Sequence, residues 1–155
     1  MSFTPPPILL PDAAATAALG AKIAPLLVAG DTILLSGDIG AGKSCFARGL
    51  IRALIGADED VPSPTFTLVQ IYDAGPVPIW HCDLYRLDGP EGVTELGLDA
   101  AFDIAICLIE WPDRLGDLAP PDALHLHLTA RDTDHLATVS GAAWATRLGV
   151  LFDPA

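Results

Sequence analysis

An α/β fold with a mixed, mainly parallel central sheet and one antiparallel hairpin is what the sequence predicts, on three observations. First, the apolar run Thr32-Ile33-Leu34-Leu35 leads into Gly37-Asp38-Ile39-Gly40-Ala41-Gly42-Lys43-Ser44, which fits the pattern Gly, four residues, Gly-Lys-Ser/Thr. Lys43 to Ile55 then places Phe46, Leu50, Ile51 and Leu54 at helical spacing. Second, Ile104 to Ile109 is continuously apolar, as a strand buried on both faces is. Third, Phe66 to Tyr72 alternates, Asp73-Ala74-Gly75-Pro76 turns, and Pro78 to Leu84 returns, most simply as a hairpin. Strand, Gly-rich loop and helix in that order make this a P-loop NTPase-like, three-layer architecture.

The remaining elements follow in order. Residues 1–7 are a Pro-rich lead, expected to be loosely ordered. Ile8-Leu9-Leu10 reads as an edge strand. Asp12 is a good N-cap for an Ala-rich helix from Ala13 toward Val28, which Pro25 should kink or end early. Pro90 to Leu96 reads as a short helix stopped at Gly97, and Leu98 to Phe102 as another helical turn. The 104–110 strand should lie beside the 32–36 strand. Ala123 to Thr129 alternates as a half-exposed strand, with 136–140 as its antiparallel neighbour and 142–151 as a closing helix. The length of 155 residues suits one domain, 1–155, with a sizeable core.

The loop sequence carries its own chemistry. A triphosphate needs backbone N–H donors wrapped around its oxygens, and Gly37, Gly40 and Gly42 permit the turns and the close approach. Lys43 offers a compact positive charge to the β- and γ-phosphates, and Ser44 a hydroxyl to Mg²⁺. The helix N-terminus adds the positive end of its dipole. Glu110 ends the buried strand, where P-loop proteins hold Mg²⁺ or its waters. A carboxylate there without a cation is costly to desolvate. Asp83 reads either as a group facing the nucleotide, or as a strand-end cap or a partner for Arg86. Ser63 and Thr65, between Pro62 and Pro64, form either a nucleotide-sensing switch or a rigid connector. His125 and His127 share a strand face and read as solvated positions, since no third metal ligand is evident.

Composition narrows the function classes. Twenty Asp and Glu against eight Lys and Arg give a net charge of −12, leaving little material for a basic patch. Strong direct nucleic-acid binding is not expected. If RNA is involved, another protein should hold it. No apolar run approaches the roughly 20 residues of a membrane span, and the N-terminus lacks a signal peptide's basic region, so the expected location is the cytoplasm. The three cysteines are scattered singly and read as reduced thiols. Cys45, at a helix N-terminus, is either reactive or a small residue packed beside the loop.

Six stretches together resemble the TsaE (YjeE) family. They are Leu-Ser-Gly-Asp-Ile-Gly-Ala-Gly-Lys-Ser (35–44), Phe-Ala-Arg-Gly-Leu (46–50), Ser-Pro-Thr-Phe-Thr-Leu-Val (63–69), His-Cys-Asp-Leu-Tyr-Arg-Leu (81–87), Glu-Leu-Gly (95–97) and Ile-Glu-Trp-Pro (109–112). The resemblance runs from about Leu10 to about Arg131 and implies a Mg²⁺-dependent ATPase supporting threonylcarbamoyladenosine modification of tRNA. Its implied partners are TsaD and TsaB, which handle the tRNA, and its implied cofactors are ATP and Mg²⁺. The implied nucleotide contacts are Leu10, Asp38, Ile39, Gly40, Ala41, Gly42, Lys43, Ser44, Cys45, Trp111 and Arg131. Ser44 and Glu110 are the implied metal ligands, and Lys43, Asp83 and Glu110 the implied catalytic set. Ser44 stands where Thr is commoner, and Cys82 replaces the usual Phe.

Other classes leave different traces. A P-loop small-molecule kinase needs an arginine-bearing lid, and arginines are scarce. A GTP switch needs Asn-Lys-x-Asp, which neither Lys22 nor Lys43 supplies. A non-enzymatic nucleotide sensor leaves no distinguishing trace.

Overall fold

The structure, a computed structural model, describes residues 5–38, 41–56, 61, 68–73, 77–87 and 89–152. Strand β1 (Ile8–Leu10) leads into helix α1 (Ala13–Ile23), whose N-cap Asp12 accepts a hydrogen bond from the Ala15 amide at 2.8 Å. The α-helix stops at Ile23, and Ala24–Leu26 tightens into a 3-10 turn around Pro25. Proline lacks the N–H that would continue the ladder and crowds the preceding turn, so the Ala-rich run does not reach Val28 as helix.

Strand β2 (Thr32–Gly37) leads to α2 (Lys43–Ile55), and the two helices α1 and α2 pack against each other. Glycines let them approach. A Cβ on Gly49 would fall on the Ala17 carbonyl, and one on Gly20 would fall on that of Phe46. Strands β3 (Val69–Tyr72) and β4 (Ile79–Asp83) form the expected antiparallel hairpin. The first strand is shorter than its alternation suggests. Leu68 has a left-handed φ of 68° and lies outside it, its carbonyl accepting from the Asp83 amide at 2.9 Å. The expected strand positions Phe66 and Thr67, and the loop residues Ser63 and Thr65, lie outside the described residues.

Helices α3 (Pro90–Glu95) and α4 (Leu98–Ile104) are separated by Gly97 with φ 79°. Strand β5 (Ile106–Glu110) is buried along its whole length, but it starts two residues later than the apolar run. Ile104 belongs to α4 and is 61% exposed, because the helical spacing of Leu98 and Ala101 extends to Ala105, whose amide closes the helix on Ala101. After a 3-10 segment (Pro112–Leu118), strands β6 (Leu124–Ala130) and β7 (His135–Ser140) pair antiparallel. Helix α5 (Ala145–Phe152) closes the described chain.

The seven strands form one sheet in the order β1-β7-β6-β2-β5-β4-β3. Its centre is parallel: β2 pairs with β6 and β5, and β5 with β4, while both flanks are antiparallel. Beside β2, β5 occupies the predicted place, with Leu35 opposite Glu110. On one face Phe46, Leu50 and Ile51 of α2 and Leu19 and Ile23 of α1 pack on Ile33, Leu35, Leu108 and Leu126. Trp144 and Leu148 join this core. Its indole donates to the Asp122 carbonyl at 2.7 Å, and Arg147 ties α5 to Asp31 through a bidentate pair at 2.6 and 3.0 Å. On the opposite face Val93, Leu98, Ala101 and Leu115 cover Leu34, Cys82, Cys107 and Ile109. Three layers follow from strands whose two faces both need cover. Among the described residues no helix is long and apolar enough to cross a membrane.

Candidate functional site

The site lies where the parallel strands end. β2, β4 and β5 run in one direction, so Gly37, Asp83 and Glu110 come to the same edge of the sheet. Ligands of open α/β sheets gather at this carboxyl edge. Gly37 has φ 137°, and a Cβ there would strike the Leu128 carbonyl, so the loop must leave β2 through glycine. Asp38 follows, exposed, its carbonyl accepting from the Ala41 amide at 3.0 Å, which turns the chain back. Ile39 and Gly40 lie outside the described residues. Ala41 is fully buried, and Gly42, with φ 102°, is the residue from which α2 starts. Lys43 and Ser44 thus occupy the first turn of a 13-residue helix. Unpaired amides and the positive dipole end concentrate there.

Lys43 is only 6% exposed. Its ammonium donates to the Gly37 carbonyl at 2.7 Å and sits 4.1 Å from the centre of the Trp111 ring. Trp111 is held in an unusual way. It follows β5 with φ 59° and ψ 55°, a left-handed conformation that costs a non-glycine residue about 1–3 kcal/mol. Tyr85 packs against it, ring centres 5.0 Å apart and tilted by 52°. The turn swings the indole over the lysine.

Two carboxylates end the neighbouring strands. Asp83 and Glu110 are register partners on β4 and β5, 5% and 3% exposed. Asp83 accepts from the Tyr85 amide at 3.0 Å, so the strand-end cap is present. Glu110 accepts from His81 Nε2 at 2.7 Å, and the imidazole is 1% exposed. The role of His81 is not evident from the motif that contains it. The available signal was its parity: His81 and Asp83 share a face of an otherwise apolar strand. Tyr85 was likewise missed as the support of Trp111.

Among the described residues two hollows lie beside the loop. The larger, about 410 Å³, is lined by Pro11, Asp12, Thr16, Gly42, Cys45, Arg131 and Asp134 among others. Arg131 and Cys45 are therefore on it. Leu10 is not, being buried in the core beside Pro11, which is. Arg131 pairs with Asp134 at 2.6 and 2.7 Å. That pair holds the guanidinium above, and the carboxyl below, its ordinary pKa. The smaller hollow, about 260 Å³, is lined by Ser36, Gly37, Asp38, Lys43, Trp111, Pro112, Asp113 and His127. His127 is exposed and its Nδ1 lies 2.8 Å from the Ser36 hydroxyl; His125 is exposed on the same strand face.

The donor set suits a hard cation. Ser44, Asp83 and Glu110 offer oxygen, and both carboxylates are buried at the edge of the sheet that carries the loop. Among the described residues no cluster of three His, Cys, Asp or Glu side chains forms a complete metal cage. Mg²⁺ needs none, since it takes one or two protein oxygens and fills its octahedron with phosphate and water.

Comparison with known proteins identifies relatives of the chain. A family model described as "Threonylcarbamoyl adenosine biosynthesis protein TsaE" matches residues 10–138. The tRNA threonylcarbamoyladenosine biosynthesis protein TsaE of Rickettsia conorii is 40% identical over 119 residues, which cover 77% of this chain and 68% of that one. Its counterpart in Synechocystis sp. is 43% identical over 116 residues, covering 70% and 71%. The crystal structure of Bacillus subtilis YdiB superposes with a TM-score of 0.81 at 26% identity, covering 97% of this chain and 95% of that one.

Proposed function

Since the chain belongs to the TsaE family of tRNA threonylcarbamoyladenosine biosynthesis, we propose that it is a Mg²⁺-dependent ATPase whose hydrolysis drives a TsaD–TsaB-like complex through its modification cycle. The observation that carries the reading is the convergence of Lys43, Glu110 and Asp83 at one end of the parallel strands, beside the start of α2. That is the equipment for phosphoryl transfer to water.

In this reading the larger hollow takes the nucleoside, with Cys45 and Arg131 along its wall. The first-turn amides of α2 and Lys43 take the phosphates, and the smaller hollow takes the γ-phosphate end. Ser44 and Glu110 are the residues that would hold Mg²⁺, which supplies charge neutralisation across the β- and γ-phosphates. Water attacks the γ-phosphorus, the bond to the bridging oxygen breaks, and ADP leaves. Asp83, in hydrogen-bonded surroundings at a strand end, orients that water. Lys43 offsets the charge developing on the transferred group, a preorganised contribution that water cannot match.

A protein that is strongly acidic overall gains no affinity for tRNA from its own field. Binding to the RNA-handling partners supplies that contact, and the work is cytoplasmic. The test is ATP turnover by the isolated chain and by the chain with a purified TsaD–TsaB complex, together with modified adenosine per ATP consumed. Turnover that rises with the complex and tracks modification is expected. Hydrolysis indifferent to the complex, with modification proceeding equally without this chain, overturns the partner assignment.

A further inference from the structure

We propose that His81 is a positioning residue that makes Glu110 a one-oxygen ligand, and that it thereby sets the preference of the nucleotide site for Mg²⁺ over Ca²⁺. The inference rests on the reading of Glu110 as the metal-side carboxylate and deepens it.

An imidazole in the middle of a mostly buried strand needs an explanation. His81 lies on β4 between Ile79 and Asp83 on the same face, and its register partner on β5 is Leu108. Glu110, one pleat further along β5, meets it: Nε2 and Oε2 are 2.7 Å apart, with the two side chains 1% and 4% exposed. An ionised carboxylate only accepts, so Nε2 carries the hydrogen. The other ring nitrogen, Nδ1, is buried and has no hydrogen-bond partner among the described residues. The polar pairing of the ring is therefore spent on Glu110 alone. Among the described residues no second side chain bonds this imidazole.

The consequence falls on the carboxylate. Oε2 is committed to the imidazole, while no hydrogen bond from a described residue reaches Oε1, the oxygen that would meet the cation. Mg²⁺ demands a small, near-octahedral shell and takes a carboxylate through one oxygen. Ca²⁺ is larger, accepts more ligands and readily uses both oxygens of a carboxylate. Drawing Oε2 into a bidentate contact turns the carboxylate away from the orientation that the imidazole holds and weakens the bond to the buried Nε2. His81 therefore raises the cost of the Ca²⁺ geometry and leaves the Mg²⁺ geometry untouched. It also fixes the direction in which Oε1 points, as hydrogen-bond partners behind a ligand do.

Calorimetric titration of the full chain with ADP, in Mg²⁺, in Ca²⁺ and in chelator, tests this on wild type, His81→Gln and His81→Leu. His81→Leu removes the donor, and His81→Gln keeps an N–H of similar reach. In His81→Leu the Mg²⁺-dependent gain in ADP affinity should fall about 10- to 100-fold, the range for removing a partner behind a metal ligand. Its ratio of Mg²⁺- to Ca²⁺-supported affinity should fall as well, while binding in chelator stays unchanged. His81→Gln should restore most of both. A His81→Leu chain that keeps the wild-type ratio, or that loses binding equally in chelator, overturns the proposal and leaves His81 a packing residue.

Should His81→Leu fail to fold, infrared difference spectra of wild type decide, with the Glu110 band identified by its loss in Glu110→Gln. A carboxylate pattern of one-oxygen coordination on adding Mg²⁺ to the ADP complex is expected, and a two-oxygen pattern overturns the proposal. The parent reading fails separately. If Glu110→Gln keeps full Mg²⁺ dependence, Glu110 is not on the metal and both fall. If it loses that dependence while the His81→Leu ratio holds, only the His81 proposal falls.

Discussion

The ammonium of Lys43 rests 4.1 Å from the centre of the Trp111 ring. A cation over an indole gains about 0.5–2 kcal/mol, less than a phosphate oxygen offers the same group. Nucleotide should therefore draw Lys43 off the ring, and the emission of Trp111 should change on adding Mg-ATP. Trp80 and Trp144 lie elsewhere in the fold, so Trp111→Phe should remove the change and spare the background. An equal signal from Trp111→Phe would place its source at another indole.

Glu110 and Asp83 are neighbours in register, yet they are expected to behave differently. Glu110→Ala should weaken Mg²⁺-dependent nucleotide binding and hydrolysis together. Asp83→Ala should lower turnover with a smaller effect on affinity, the signature of an interaction made mainly in the transition state. Calorimetry with Mg-ATP and single-turnover kinetics with the partners present separate the two. Lost binding in Asp83→Ala with binding retained in Glu110→Ala would reverse the roles.

Gly49 is needed for close contact between α1 and α2. Gly49→Ala drives a methyl into the Ala17 backbone, an overpacking that should cost about 1–3 kcal/mol. Gly149→Ala in α5 meets nothing within 4 Å and should instead gain about 0.4–1 kcal/mol. Urea denaturation of both variants checks the contrast, and equal midpoints would contradict the packing.

The thiols supply a pH dependence. Burial, then the neighbouring Cys107 and Glu110, hold the Cys82 thiol well above its ordinary value, and burial pushes Cys107 from 9.0 up to about 12. Both thiols keep their protons in the folded chain at a pH where the unfolded chain releases them. Stability from this source is complete below pH 9.0 and is lost as pH rises toward about 12. Maleimide at neutral pH should label the partly exposed Cys45 and spare the other two until the chain unfolds. Labelling of Cys82 or Cys107 in the folded protein would show that these sites open.

Much of this was legible in the sequence where local chemistry is unambiguous. Gly42-Lys43-Ser44 declares a helix start, Asp12 a cap and Pro25 a helix end, because each residue restricts the backbone on its own. Glu110 was legible because a carboxylate ends an apolar run. Boundaries were less so. Ile104 fits a buried strand by hydrophobicity, yet the helical spacing of Leu98, Ala101 and Ala105 claims it for α4. Leu68 reads as part of an alternating strand, yet its backbone turns to φ 68°. The pairing of His81 with Glu110 and of Lys43 with Trp111 depends on strand register and on the left-handed turn at Trp111. No local pattern encodes either.

The most direct measurement of the central claim is phosphate release from ATP by wild type and Lys43→Ala, with Mg²⁺ and the partner complex present. Lys43 sits at the start of α2 with its ammonium on the Gly37 carbonyl, at the place where transferred charge would develop. Lys43→Ala should slow release by about a hundredfold or more, the scale for removing one preorganised donor, with its circular dichroism unchanged. Wild-type turnover from a folded Lys43→Ala chain would contradict the assignment of this loop as the hydrolytic site.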